Sequence, residues 1–336
     1  MAPPPPQKLY GGAHMTFPQR STLMLACCWF AVAGRATAQP ATCAQNAVTF
    51  LSTGAAQSFV VPAGVTTISA IVTGAGGGGD GFTFAGGPGA FIAADIPVAP
   101  GQALTLIVGG KGADGNQSAA GGGGASVVAA TAGFVPYVIA AGGGGTGIFA
   151  QDNGTTIDAS ATTTAKNGNG TGAGAGGVGT LGGGAGPTAA ANGSGGGGGA
   201  GVTGDGDDSI AGAVEGGTSL NGSAAGGISA AGTGGFGGGG GGGSVGGGGG
   251  GGYAGGGGGG ATSNGAGGGG ASYLAPGATL LTPISLQGTP EDGAVTLCYA
   301  LAPVTAVPTL DPAAMAVLAA GLGFAGVLWL RRRQRI

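Results

Sequence analysis

The chain has 336 residues, of which 90 are glycine and only 6% are charged, against roughly 25% charged in an average globular protein. Between Gln39 and Leu310 eleven carboxylates (Asp80, Asp95, Asp114, Asp152, Asp158, Asp205, Asp207, Asp208, Glu215, Glu291 and Asp292) face two lysines, Lys111 and Lys166. That acidic body excludes nucleic acid as a partner, because nucleic-acid binding needs a basic footprint. A hydrophobic share of 42% also sets it apart from ordinary disordered chains.

Residues 1–38 read as a secretory signal. Arg20 precedes the apolar run Leu23 to Ala33, and Ala36-Thr37-Ala38 offers a small-residue cleavage site before Gln39. Met15 suits the start better than Met1, since Met1 to His14 is proline-rich while Met15 to Arg20 gives a short basic leader. Lipoprotein processing at Met24-Leu25-Ala26-Cys27 is the weaker alternative, because the apolar run continues through Trp29-Phe30-Ala31-Val32.

Residues 39–302 read as one glycine-rich β domain. Short β-type runs are expected at Ala47–Leu51, Ser58–Val61, Thr66–Val72, Ala90–Ile96, Leu104–Val108, Ser126–Ala130, Tyr137–Ala141, Leu280–Leu286 and Val295–Tyr299. In the third, alternation puts Ile68, Ala70 and Val72 on one face and Thr67, Ser69 and Ile71 on the other. Pro62-Ala63-Gly64 marks a turn, and Ala99-Pro100-Gly101 and Ala275-Pro276-Gly277 form a matching pair. Gly74 to Gly89 reads as a glycine loop. No fixed repeat of solenoid length emerges. Cys43 and Cys298 bracket the β region, and an even pair in an exported body reads as a disulfide. Such a bridge would make the first and last strands neighbours and, on the chain-entropy model, contribute on the order of 4–5 kcal/mol.

Gly232 to Tyr273 is the most unusual stretch, with long glycine runs punctuated by Phe236 and Tyr253. Interior glycine costs a helix about 1 kcal/mol per residue relative to alanine, and it gives a strand nothing to pack. Flexible linkers of this type are usually diluted with serine and charge. The ordered alternative is an extended threefold helix whose backbones pack directly, bonded laterally through N–H and C=O groups. Collagen's strict glycine period is missing. Gly235-Phe236, Ser244-Val245 and Gly252-Tyr253-Ala254-Gly255, set between glycine runs, resemble the glycine-rich domain of the anaplastic lymphoma and leukocyte receptor tyrosine kinase ectodomains. They are similar too to glycine-rich bacterial surface proteins and phage adhesins. The resemblance implies an all-β fold, a glycine-rich β-sandwich carrying a bundle of polyglycine-II-like helices. Phe236, Tyr253 and Tyr273 would then be packing plugs.

At the other end, residues 303–311 form a linker and Pro312 to Leu330 is an uncharged apolar run near the roughly 20 residues that span a bilayer. Arg331, Arg332, Arg333 and Arg335 follow, and by the positive-inside rule residues 331–336 stay cytoplasmic. A plain membrane anchor is one reading. Val307-Pro308-Thr309-Leu310, the span and the arginine cluster together resemble the IPTL-CTERM sorting signal, a relative of PEP-CTERM found on substrates of Gram-negative exosortases. Val307 stands where that motif has isoleucine, and Asp311-Pro312-Ala313-Ala314 departs from its usual continuation. The resemblance implies an inner-membrane intermediate, processing by an exosortase near the motif, and release outward.

Chemistry is sparse. The only histidine, His14, precedes Met15. Gly242-Gly243-Ser244-Val245-Gly246 matches a nucleophile elbow in letters but lacks a histidine base and a flanking strand and helix. Gly109-Gly110-Lys111-Gly112 lacks the Ser/Thr and helix of a phosphate loop. Lys111 and Lys166, which could serve a serine–lysine dyad, leave a lysine- or carboxylate-based hydrolase as a third-ranked idea. Asp205, Asp207 and Asp208, with Glu215 nearby, are a weak candidate for Ca²⁺, against a solvated acidic turn. No cofactor is expected. The sequence therefore reads as a structural protein of the cell surface or extracellular matrix, with exopolysaccharide or envelope matrix as surroundings. The alternative is an adhesin that binds a glycan or protein through its loops.

Overall fold

The computed structural model describes residues 46–148, 156–184, 195–209, 213–261, 265–301 and 312–333. Ala36, Ala38, Gln39, Cys43, the Val307-Pro308-Thr309-Leu310 motif and Arg335 lie outside the described residues.

Eleven strands and one helix make up the regular structure among these residues. The first sheet contains β1 (Asn46–Leu51), β3 (Thr67–Thr73), β4 (Ala90–Pro97), β9 (Thr279–Leu280), β10 (Ser285–Leu286) and β11 (Ala294–Tyr299). Its order is β1-β11-β3-β4-β10, with β9 also on β4. The second sheet contains β2 (Gln57–Val60), β5 (Ala103–Ile107), β6 (Ser126–Ala130), β7 (Val135–Ala140) and β8 (Tyr273–Leu274), in the order β2-β5-β6-β7-β8. All pairings are antiparallel. The first and last long strands are neighbours, Ala47 opposite Cys298.

Residues of both sheets meet in one apolar cluster, with Ile68, Ala70 and Val72 of β3, Ile92 of β4 and Leu297 of β11 beside Leu104, Leu106, Val128 and Val138. The alternation read in β3 is thus the alternation seen. A second cluster lies on the other face of the second sheet, where Ile107, Val127, Ala129 and Ile139 meet Val202, Leu220 and Ala224. Covered on both faces, β6 is buried along nearly its whole length, which is why Val127 to Ala130 is a continuous apolar run rather than an alternating one.

The matching Pro-Gly turns have one geometry. Gln102 N–H donates to the Ala99 carbonyl and Ala278 N–H to that of Ala275, with Gly101 at φ 78° and Gly277 at φ 89°. These are turns with proline at the second position and the obligatory positive-φ glycine at the third.

Two expectations are corrected. Leu280–Leu286 is not one strand but the two-residue pieces β9 and β10, because Pro283 between them has no N–H for the ladder. Gly74 to Gly89 does not act as a simple loop, since its backbone is bonded to other glycine segments, with Gly78 N–H donating to the Gly121 carbonyl and Gly87 N–H to that of Gly144.

Cys298 is 8% exposed on β11. It is the one cysteine among the described residues. The helix α1 (Pro312–Arg333) carries Arg331, Arg332 and Arg333 in its last turn. Its segment Met315–Arg333 is long and apolar enough to cross a membrane, and none of it is buried.

Candidate functional site

The body contains an array of segments, mostly glycine, bonded to one another through their main chains. Gly246 to Gly252 are all buried. The N–H groups of this run go in turn to three different neighbours. Gly247, Gly250 and Tyr253 donate to Gly265, Gly268 and Ala271; Gly248 and Gly251 donate to Ala120 and Gly123; Gly249 and Gly252 donate to Gly197 and Ala200, all at 2.7–3.0 Å. Each partner advances three residues as the donor advances three. The carbonyls are taken as well. Those of Gly248 and Gly251 accept from Gly145 and Gly142, those of Gly247 and Gly250 from Gly259 and Gly256, and that of Gly249 from Gly240. The run therefore bonds to six surrounding segments. The same period appears in 120–125, whose amides reach Thr146 and Gly143, Ala113 and Gly110, and Gly240 and Gly237.

Buried peptide groups must be bonded, and here the bonds come from other segments of the array. Glycine is required because the backbones approach closely. A Cβ on Gly248 would lie 2.0 Å from the Gly240 carbonyl oxygen, on Gly249 2.1 Å from that of Gly256, and on Gly267 2.0 Å from that of Gly248. These obstacles are main chain, held by the same bonds, and cannot swing away. Gly74 to Gly79 belongs to this array: Ala75 and Gly78 donate to Gly124 and Gly121. So does the 142–147 segment, which the sequence left between strands.

Aromatic rings close its margins. Phe236, Tyr253 and Tyr273 all pack on the second apolar cluster. Tyr253 and Tyr273 stack with centroids 4.5 Å apart and planes 7° from parallel.

No family model and no curated protein matches the chain.

Beside the array lies a cleft of about 310 Å³, bordered by Phe82, Phe84, Lys111, Asp114 and Pro290. It is built on Asp80, only 2% exposed, whose carboxylate accepts from the N–H groups of Phe82, Thr83 and Phe84 at 2.8, 2.9 and 3.0 Å. Those bonds fold the Asp80–Phe84 loop and leave the Phe82 ring 62% exposed. Asp114 accepts from Gly79 N–H at 2.8 Å and pairs with the Lys111 ammonium at 3.0 Å. Lys111 stands out in the sequence only as part of an incomplete phosphate loop, and nothing there joins it to Asp80, Phe82 or Asp114. The available signal was Asp80-Gly81-Phe82-Thr83-Phe84, an acid and two aromatics interrupting a glycine run.

Burial pushes the Asp80 carboxyl up, but the bonds from Phe84, Phe82 and Thr83 outweigh it and hold the group below the ordinary 3.8. Asp114 is likewise lowered, against burial, by Gly79 and Lys111. A carboxyl with a lowered folded value contributes stability that is complete above its unfolded value and lost as pH falls through the folded one. Unfolding midpoints in urea should therefore hold steady from neutrality to about pH 5 and drop below about pH 4. Asp80→Asn should cost about 1–3 kcal/mol at neutral pH and flatten that acid decline; an unchanged decline would remove Asp80 from its cause.

The acidic cluster does not converge. Asp205 accepts from Ser219 N–H at 2.7 Å, Asp208 from Gly216 N–H at 2.8 Å, and Glu215 from Ile228 N–H at 3.4 Å. Among the described residues no three acidic, histidine or cysteine side chains gather in a way that could hold a metal. Two of the three aspartates proposed for Ca²⁺ are spent bracing glycine loops. Ser244 is exposed beside a tight turn in which Gly243 N–H donates to the Gly246 carbonyl, not at the end of a strand entering a helix. Of the lysines, Lys111 is paired with Asp114 and Lys166 is also engaged.

Proposed function

We propose that this chain is an exported structural protein of a bacterial surface or extracellular matrix, delivered through its C-terminal tail by an exosortase. The observation that carries the reading is α1: an apolar, unburied helix of membrane length that ends in three arginines, attached to a body dominated by carboxylates. Positive charge concentrated at that end favours retaining it in the cytoplasm while the body lies outside. The Val307-Pro308-Thr309-Leu310 motif just before the helix supports enzymatic release. In a host deleted for its exosortase, full-length chain should accumulate in the inner membrane; normal surface delivery there would overturn the reading.

In this proposal the two sheets form a β-sandwich and the glycine array is a polyglycine-II-like bundle, supported by the three-residue bonding period and the six surrounding segments. Such a body suits a passive matrix role, since its interior is bonded backbone with few groups that titrate or react. Cys43 is the proposed mate of Cys298, being the other cysteine retained after cleavage before Gln39. Non-reducing peptide mapping of exported protein should recover the two joined; an alkylatable Cys43 would refute the pairing.

A second reading, an adhesin, is favoured by the cleft. An exposed ring at Phe82 beside the Asp114–Lys111 pair offers an apolar face and polar groups together, the mix found in small-ligand sites. Binding of the purified body to a glycan array, lost in Phe82→Ala with unchanged stability, would favour this reading over the passive one.

A further inference from the structure

We propose that Asn169-Gly170 is a site of self-modification, at which Asn169 loses its side-chain amide while the body is folded. Three Asn-Gly pairs lie among the described residues, at Asn167, Asn169 and Asn221, and all three asparagines are exposed. Their amide nitrogens differ. Gly168 N–H donates to the Gly174 carbonyl at 2.9 Å and Gly222 N–H to the Ser219 carbonyl at 3.0 Å. Asn167 is further tethered, because its Oδ1 accepts from Gly176 N–H at 2.8 Å. Gly170 N–H instead lies 2.6 Å from the Oδ1 of Asn169 itself. The side-chain amide is folded back on the nitrogen that can attack it, and the contact polarises the Cγ=Oδ1 bond. Gly170 sits at φ 92°, a conformation that suits the absence of a Cβ.

The chemistry needs only base and water. Solvent base removes the proton from Gly170 N, the nitrogen bonds to Asn169 Cγ, and the Cγ–Nδ2 bond breaks with ammonia leaving after it takes a proton from water. The resulting five-membered succinimide is opened by water at either carbonyl, to aspartate or to isoaspartate. Either product adds a negative charge to a body already rich in carboxylates. Isoaspartate also inserts one extra main-chain carbon into a turn anchored by the bonds from Gly260 N–H to the Asn169 carbonyl and from Ala173 N–H to that of Gly170.

The test is peptide mapping of the purified full chain in detergent, aged in mildly alkaline buffer, with aspartate and isoaspartate counted at each site. Position 169 should convert roughly tenfold or more faster than 167 and 221, since holding the side-chain amide against the attacking nitrogen favours ring closure while the nitrogens of Gly168 and Gly222 are bonded to other carbonyls. In denaturant, where all three share one local sequence type and no fold, the rates should converge. Equal rates in the folded protein, or conversion led by 167 or 221, would overturn the proposal. So would a 169 preference that persists in denaturant, because it would then owe nothing to the fold.

Discussion

Replacing Gly248 by valine should leave little or no folded body. A Cβ at that position meets the Gly240 carbonyl oxygen at 2.0 Å and the Gly122 nitrogen at 2.8 Å, and Gly240, Gly122 and Gly248 are all bonded within the array. Relief would require moving segments that each brace several others. The expected cost exceeds about 4 kcal/mol, at the extreme end for a single substitution and a large part of a typical domain's 5–15 kcal/mol. Alanine should be nearly as damaging as valine, because the first carbon already makes the clash. Gly288→Ala is the matched control: nothing lies within 4 Å of its Cβ position, so its effect should stay within about 0.5 kcal/mol. Urea unfolding of the three variants checks this, and Gly248→Val at wild-type stability would mean that the tract is slack.

The second large effect concerns the tail, and it rests on the proposed sorting. Mature protein on the cell surface should lack residues beyond the Val307-Pro308-Thr309-Leu310 motif, so peptides containing Trp329 should be missing from it. In the proposed sorting, Pro308 belongs to the motif that the processing enzyme reads. Pro308→Ala should therefore trap full-length chain in the inner membrane. Deleting Arg331 to Ile336 should do the same by removing the charges that hold the helix in place. Intact Trp329 peptides on surface material would leave a permanent anchor instead.

Much of the sheet framework was legible because its side chains alternate against apolar cores. Ile68, Ala70 and Val72 marked the inner face of β3, and the apolar run 127–130 marked β6. Only side-chain pattern was legible, however. Tyr273–Leu274 was not seen as strand β8 because two residues leaving a glycine run carry no period. Leu280–Leu286 looked continuous because the apolar pattern ran across Pro283, whose missing N–H decides the matter. The array itself was anticipated as a backbone-bonded alternative for Gly232 to Tyr273, but not its extent. That Gly248 bonds to Ala120, Gly249 to Gly197 and Gly250 to Gly268 cannot be read from glycine letters, which encode no register. The cleft was missed for the opposite reason. Asp80 and Asp114 stand alone in the sequence, and only folding brings the loops at 80–84, 111–114 and 290 together.

Amide hydrogen exchange across Gly246 to Gly252 decides whether the glycine array is a bonded solid or a slack tether. Protection follows bonding and the cooperativity of the unit that must open. Each of these amides from Gly247 onward has a backbone carbonyl partner on another segment, so they should exchange as slowly as those of β3 and β6, and only through unfolding of the body. Exchange at random-coil rates across this run, with the sheets still protected, would contradict the account.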